Sequence, residues 1–176
     1  MIELVFVLVV IGILAAAIIP RMRTNPVQEA AIDLVSKIRY TQHLAMSDDK
    51  YDRTVAWYKN RWQIVFTGNT YSIQHNDGSN YAKDPLNQTK DINGVELKGV
   101  DALTFTIGST VDTSDPFIIS FDYLGRPLIG TLSATSAYTN TGSGKLLNDT
   151  CHIKLTNGTK IAYIDISKET GYARIR

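Results

Sequence analysis

The sequence predicts an α+β chain: a long N-terminal helix, membrane-embedded at its start and kinked near Pro20, packed on a C-terminal antiparallel β domain. Three observations predict it. The opening run MIELVFVLVVIGILAAAII carries no charge after Glu3. Residues 26–47 place apolar side chains at three- and four-residue steps, the period of a helix with one buried face. After residue 50 the composition turns to Tyr, Thr, Val, Ile, Asn and Gly in short alternating runs. The expected division is residues 1–47 as the helix (1–19 transmembrane, 26–47 amphipathic) and residues 48–176 as an antiparallel β head.

Three accounts of the opening run compete. A cleaved secretory signal fits its length and its small residues Ala15-Ala16-Ala17, but such a signal starts with basic residues and this run starts Met1-Ile2-Glu3. A core helix apolar on every side needs more protein around it than the remaining chain supplies. A membrane-embedded helix fits best, since nineteen residues at about 1.5 Å each reach roughly 28 Å, close to the hydrocarbon thickness of a bilayer. Gly12 and the three alanines form a small-residue patch where another helix can come close, although membrane helices also tolerate glycine for no such reason. Glu3 is either a partner-seeking acid in an apolar segment or a first-turn acid favoured by the helix dipole. The residues alone leave both open.

Pro20 lacks an amide donor and is expected to kink or end the helix. Asn25-Pro26 reads as a restart, with Asn25 as N-cap, Pro26 in the first turn and Gln28 reaching back. Val27, Ala30, Ala31, Leu34, Val35, Ile38 and Leu44-Ala45 then form the stripe, and Asp33 can pair with Lys37 one turn on. The helix is expected to fade near residues 47–50.

In the β region, Thr54–Tyr58 and Arg61–Phe66 flank Lys59-Asn60 as an expected hairpin, and Tyr71–Gln74 is a further strand. Residues 76–94 and 130–149 read as polar surface loops. Ala102–Ile107 and Phe117–Phe121 alternate as strands, and Asp122–Pro127 is a turn. The chain closes as a meander: Cys151–Leu155, the turn Asn157-Gly158, Ile161–Ile166, a turn at Glu169-Thr170-Gly171, then Tyr172–Ile175.

The string from Ile2-Glu3-Leu4-Val5-Phe6 through Gly12-Ile13-Leu14-Ala15-Ala16 to Ile18-Ile19-Pro20 resembles the N-terminal signature of type IV pilins and type II secretion pseudopilins. The run Phe117–Pro127 with its Gly125, followed by Ile153–Gly158, Ile161–Ile166 and Thr170-Gly171, resembles the GspH/FimT-type minor pseudopilins. The two resemblances cover both ends of the chain and leave about 67–112 unmatched. They imply a pilin-like fold and a minor pilin or pseudopilin, a structural subunit of a secretion pseudopilus or pilus. Its partners would be other pilin or pseudopilin subunits, met through the N-terminal helix, with Glu3 pairing to a neighbour's N-terminal amine. They also imply a prepilin peptidase acting on a precursor, so a basic leader ending in Gly and a Phe-type start are expected upstream of Met1. The implied location is the bacterial inner membrane, single pass with the C-terminal domain in the periplasm, then the fibre. Arg21 and Arg23 taken alone would argue for the opposite topology; the family's topology is the expectation adopted. Glu3, Gly12 and Pro20 are thus the candidate assembly residues.

No enzyme is expected, nor any cofactor or metal. His43, His75 and His152 are scattered, and Cys151 is the single cysteine, expected as a small buried hydrophobe. Thr141–Lys145 lacks the first glycine and the Ser/Thr of a phosphate loop, and Asn76–Gly78 and Asp112–Asp115 read as turns rather than calcium loops. Net charge is +1, which names no partner. Residues 151–176, however, carry Lys154, Lys160, Lys168, Arg174 and Arg176 against Asp165 and Glu169. Some FimT-like minor pilins bind DNA through a C-terminal Gly-Arg-x-Arg motif, and Arg174-Ile175-Arg176 resembles it with Ala173 in place of the glycine. The resemblance implies DNA as an alternative partner, with Arg174, Arg176, Lys154, Lys160 and Lys168 on the phosphates. The sequence favours the plainer account, an edge strand carrying charge that blocks aggregation.

Overall fold

A computed structural model describes residues 2–18, 25–53, 57–75, 78, 80–133, 136–139, 142 and 144–176, with the side chains of 15–18 excepted. The Val/Leu/Ile run forms α1 (Ile2–Ile18), and the amphipathic run forms α2 (Pro26–Ser47). A 3₁₀ turn, Trp57–Asn60, precedes the strands. These are β1 (Gln63–Thr67), β2 (Thr70–His75), β3 (Asn80–Tyr81), β4 (Lys83–Asp84), β5 (Asn87–Asp91), β6 (Val95–Glu96) and β7 (Ala102–Ile107). They continue as β8 (Thr110–Asp112), β9 (Phe117–Phe121), β10 (Pro127–Ile129), β11 (Lys145–Leu146), β12 (Cys151–Asn157), β13 (Lys160–Ile166) and β14 (Ala173–Ile175).

This corrects the expected fold class. The long membrane-embedded helix, and with it the transmembrane assignment of residues 1–19, is replaced by two separate helices on a chain that is otherwise mostly β-sheet. The first helix has 17 residues. At about 1.5 Å per residue it reaches roughly 26 Å, short of the roughly 30 Å hydrocarbon core. No helix among the described residues is long and apolar enough to cross a membrane. The kink expected at Pro20 lies outside the described residues.

The strands form a seven-stranded sheet whose main path is β11-β10-β9-β1-β2-β3, with β6 also on β2. A five-stranded sheet runs β14-β13-β12-β7-β8, and β4-β5 make a two-stranded flap. Every named strand pair is antiparallel. The helix α2 lies against both larger sheets, touching β12, β13 and β14 of one and β1 and β9 of the other. Its buried side chains are Val27, Ala30, Ala31, Leu34, Val35, Ile38, Thr41 and Ala45. The sheets meet at three rings: Phe105 of β7 stacks on Phe117 of β9 at 3.9 Å, and Phe66 of β1 lies 5.1 Å from Phe105. Cys151 faces this core fully buried, and burial pushes its thiol up to about 12.

Several local expectations change. Asn25 stands at the N-cap and Pro26 in the first turn, but the cap bond runs from the Glu29 amide to the Asn25 carbonyl, not to the Asn25 side chain. Lys37 reaches across to Asp84 at 3.4 Å rather than back to Asp33. The hairpin expected at Lys59-Asn60 is part of the 3₁₀ turn, with Thr54–Ala56 outside the described residues. Trp57 there packs its ring on Tyr51, Tyr58 and the Arg61 guanidinium. The loop expected at 76–94 holds β3, which pairs with β2, and the β4–β5 flap, whose polar residues carry no apolar alternation and are exposed all along β5.

A buried polar cluster fastens the segment after β10 onto the seven-stranded sheet. Asp122 accepts from the amides of Leu124 (3.0 Å) and Arg126 (2.8 Å), from Arg126 Nε (2.7 Å) and from the Tyr138 hydroxyl (3.2 Å). Arg61 donates to the Ala137 carbonyl at 2.7 Å while its guanidinium lies over the Tyr138 ring. Burial lowers the Arg61 pKa from its ordinary value and raises that of the Tyr138 phenol.

Near the C-terminus, Gln42 Nε2 on α2 donates to Gly125 O (2.8 Å) and Thr170 O (2.7 Å), which draws two turns from different sheets onto one helix. Gly171 sits in the left-handed region at φ +64 where these elements converge. A Cβ there would run into Gly125 O and stand 2.7 Å from Gln42 Nε2. Gly171→Ala is therefore expected to cost about 2–3 kcal/mol of stability, read as a lowered urea midpoint with an unchanged slope.

Candidate functional site

Two surfaces carry the residues singled out from the sequence. The first is α1. Its Leu, Val and Ile side chains leave no polar face, so a helix forms but has no stripe with which to choose a side. The described side chains of residues 2–14 are all exposed, from Ile2 at 85% to Val10 at 37%. The hydrophobic core begins at Val27 and draws no described side chain from α1. Glu3 is exposed in the first turn, the one ionisable side chain of the helix. Gly12 is exposed too, and a Cβ built on it would meet nothing within 4 Å beyond its chain neighbours and the backbone of its own helix. Its missing side chain is thus not required by the described intrachain contacts. Pro20, the third assembly candidate, lies outside the described residues.

The second surface is the outer face of the five-stranded sheet. The Asn157-Gly158 turn pairs Asn157 with Lys160, and the antiparallel register then sets His152 opposite Asp165 and Lys154 opposite Tyr163. β14 adds Arg174 opposite Asp165, and the Arg176 amide donates to the Tyr163 carbonyl at 3.0 Å. Because side chains alternate across a strand, Lys154, Arg174 and Arg176 share the outer face with His152, Tyr163 and Asp165, while Ile153, Leu155, Ile164 and Ala173 point into the core. His152 Nδ1 lies 2.6 Å from Asp165 Oδ1, and Arg174 Nη2 lies 3.9 Å from Asp165 Oδ2. The Arg176 guanidinium stands 6.0 Å from the Tyr163 ring centre.

The structure thus brings together Lys154, Arg174 and Arg176 and leaves two of the predicted cations aside. Lys160 opens β13 next to the turn, and Lys168 lies beyond its far end, beside Arg126, Asn148 and Glu169. Asp165, which answers Arg174 and His152, was not singled out from the sequence. The signal was present: counting five residues back from Asn157 and five on from Lys160 pairs the two side chains.

A hydrogen-bonded, nearly buried carboxylate is costly to remove. Asp165→Ala is expected to lower stability by about 1–3 kcal/mol, whereas Arg174→Ala, exposed and loosely paired, shifts it by less than about 0.5 kcal/mol. Paired denaturation curves check this difference.

Among the described residues no group of three or more His, Cys, Asp or Glu side chains is placed to hold a metal ion. No protein-family model, curated protein or solved structure matches the chain.

Proposed function

We propose that the chain is a structural subunit of a bacterial fibre, a minor pilin or pseudopilin of a type II secretion pseudopilus or type IV pilus, assembling through α1. The observation that carries the reading is an apolar helix exposed on every described side, joined to a head whose core draws no described side chain from it. A monomer rarely leaves so large an apolar patch in water, and each large side chain covered on association is worth about 1.5–3 kcal/mol. A cluster of such helices from several subunits satisfies all of them at once. The N-terminal resemblance supports the same reading, and it carries with it a stay at the bacterial inner membrane before assembly. Val7→Lys with Ile11→Lys in the full chain is expected to abolish self-association in analytical ultracentrifugation while the circular dichroism of the head is unchanged. A wild-type chain that stays monomeric at micromolar concentration without detergent would sink the reading.

A second reading, DNA capture by a minor pilin of natural transformation, draws on one observation: Lys154, Arg174 and Arg176 share a sheet face with Tyr163. Three phosphate contacts predict that log K falls with log salt at a slope of about −2.7 on duplex DNA. Arg174→Ala with Arg176→Ala is expected to remove the mobility shift, and a shift unchanged by that pair would exclude this tail.

A further inference from the structure

We propose that the outer face of the five-stranded sheet takes single-stranded rather than duplex DNA, stacking bases on Tyr163 and His152 among its three cations. The inference rests on the DNA-capture reading and names the form of DNA that the same face receives. α2 packs on the opposite face of this sheet, where Ile153, Leu155 and Ile164 are fully buried. The outer face stays open, and the Tyr163 ring on β13 is 38% exposed there.

Strand register places the rings among the cations. Lys154 stands opposite Tyr163 on β12, and on the other side the Arg176 amide donates to the Tyr163 carbonyl. The ring is thus flanked by a cation on each side, one strand spacing of about 4.8 Å away. Arg174 and Arg176 are two residues apart on the edge strand, so their Cα atoms stand roughly 7 Å apart along it. His152 lies on the diagonal from Tyr163, at about 7 Å. Its Nδ1 is 2.6 Å from Asp165 Oδ1, which holds the second ring in place, and the Asp165 side chain is only 7% exposed. Thr104 and Thr106 of β7 stand opposite Lys154 and His152 and add hydroxyls beside the rings.

Rings set among cations decide which form of DNA fits. Every unpaired base presents a flat π face, and tyrosine and histidine rings accept it. In a duplex those faces are covered by the neighbouring base pairs. The base edges remain, but the major groove that displays them is about 12 Å wide. The five strands of this sheet span about 19 Å and cannot enter it. Duplex DNA therefore meets the cations alone, whereas a single strand meets cations and rings together. The Arg176 guanidinium stands 6.0 Å from the Tyr163 ring centre, the outer limit of a cation–π contact. A base replaces it there at small cost and leaves the guanidinium to a phosphate.

The test is fluorescence anisotropy on the full-length chain in a nonionic detergent, with a labelled oligothymidylate and a labelled duplex of the same length. The single strand is expected to bind about fivefold tighter or more, the low end for one stacked base, with a salt slope of about −2.1 for three phosphate contacts. Tyr163→Ala is expected to weaken the single strand by about the same factor and to leave the duplex within about twofold. Tyr163→Leu is expected to behave as Tyr163→Ala, and Tyr163→Phe as the unmodified chain. A duplex bound as tightly as the single strand overturns the preference and leaves DNA capture standing. Single-strand affinity unchanged in Tyr163→Ala overturns the stacking in the same way. No binding of either DNA at low salt overturns both readings.

Discussion

The head depends on the burial of one helical stripe. α2 sets Val27, Leu34, Ile38 and Ala45 against strands of two different sheets, so neither sheet has a complete core without it. The sheets touch one another at Phe66, Phe105 and Phe117, and α2 covers what remains. Polar contacts on the same helix fix its register. Gln42 holds the turns at Gly125 and Thr170, Arg39 holds the edge strand at Ala173, and Lys37 reaches the flap at Asp84. A slide of α2 by one turn would break all four contacts and turn the apolar stripe out of line.

The charged groups of the head follow the same logic of local satisfaction. Asp122 is almost fully buried, yet four donors reach it, so its charge costs little. Asp165 is buried at the sheet surface and meets His152 and Arg174. These carboxylates compete with any external ligand for the cations beside them. Arg174 is shared between Asp165 and solvent, and that loose pairing leaves its guanidinium able to reorient. Arg39, held by two hydrogen bonds and a ring, does not share that freedom.

Much of this was legible in the sequence where one local signal decides the outcome. The period of Val27 through Ala45 matches the buried face except at Thr41, which is buried outside the expected stripe, and Leu44, which is only half-buried; elsewhere helix geometry and burial impose the same spacing. Asn157-Gly158 marks the β12–β13 hairpin, and the pairing of every residue from Cys151 to Ile166 follows from it. The failures lie where distant groups decide. Lys37 prefers Asp84, 47 positions away, to the Asp33 one turn back. Trp57 and Tyr58 look like strand residues but stack on Tyr51 and Arg61, and the strand period is lost. The β4–β5 flap is exposed along β5, so it has no apolar alternation to betray it. In α1, apolar length alone suggested a membrane span, but the described helix ends at Ile18 and falls short of that length.

The contrast between α1 and the head is the feature that function has to explain. The head is largely self-contained: its apolar core is built from its own residues, its buried acids Asp122 and Asp165 are paired, and its edge strand is partly capped by Arg39. Among the described residues, Arg61 Nη2, His75 Nδ1 and Ser120 Oγ are nevertheless buried without a hydrogen-bond partner. α1 has no polar face to give to water and contributes no described side chain to the core. A segment like this is either a hazard or an interface. The sequence is too selective for a hazard, since it admits one acid in the first turn, one glycine that needs no intrachain contact, and no other polar side chain from Leu4 to Leu14. A helix apolar on all sides is also poorly suited to a two-fold dimer, which would cover one face and leave the rest wet. Full coverage requires several neighbours around each helix, and a lone acid within such a cluster sets its axial position, because every other placement buries the charge without a partner. On the proposed assembly reading, apolar coverage favours many-body packing, and Glu3 would restrict that packing to one register.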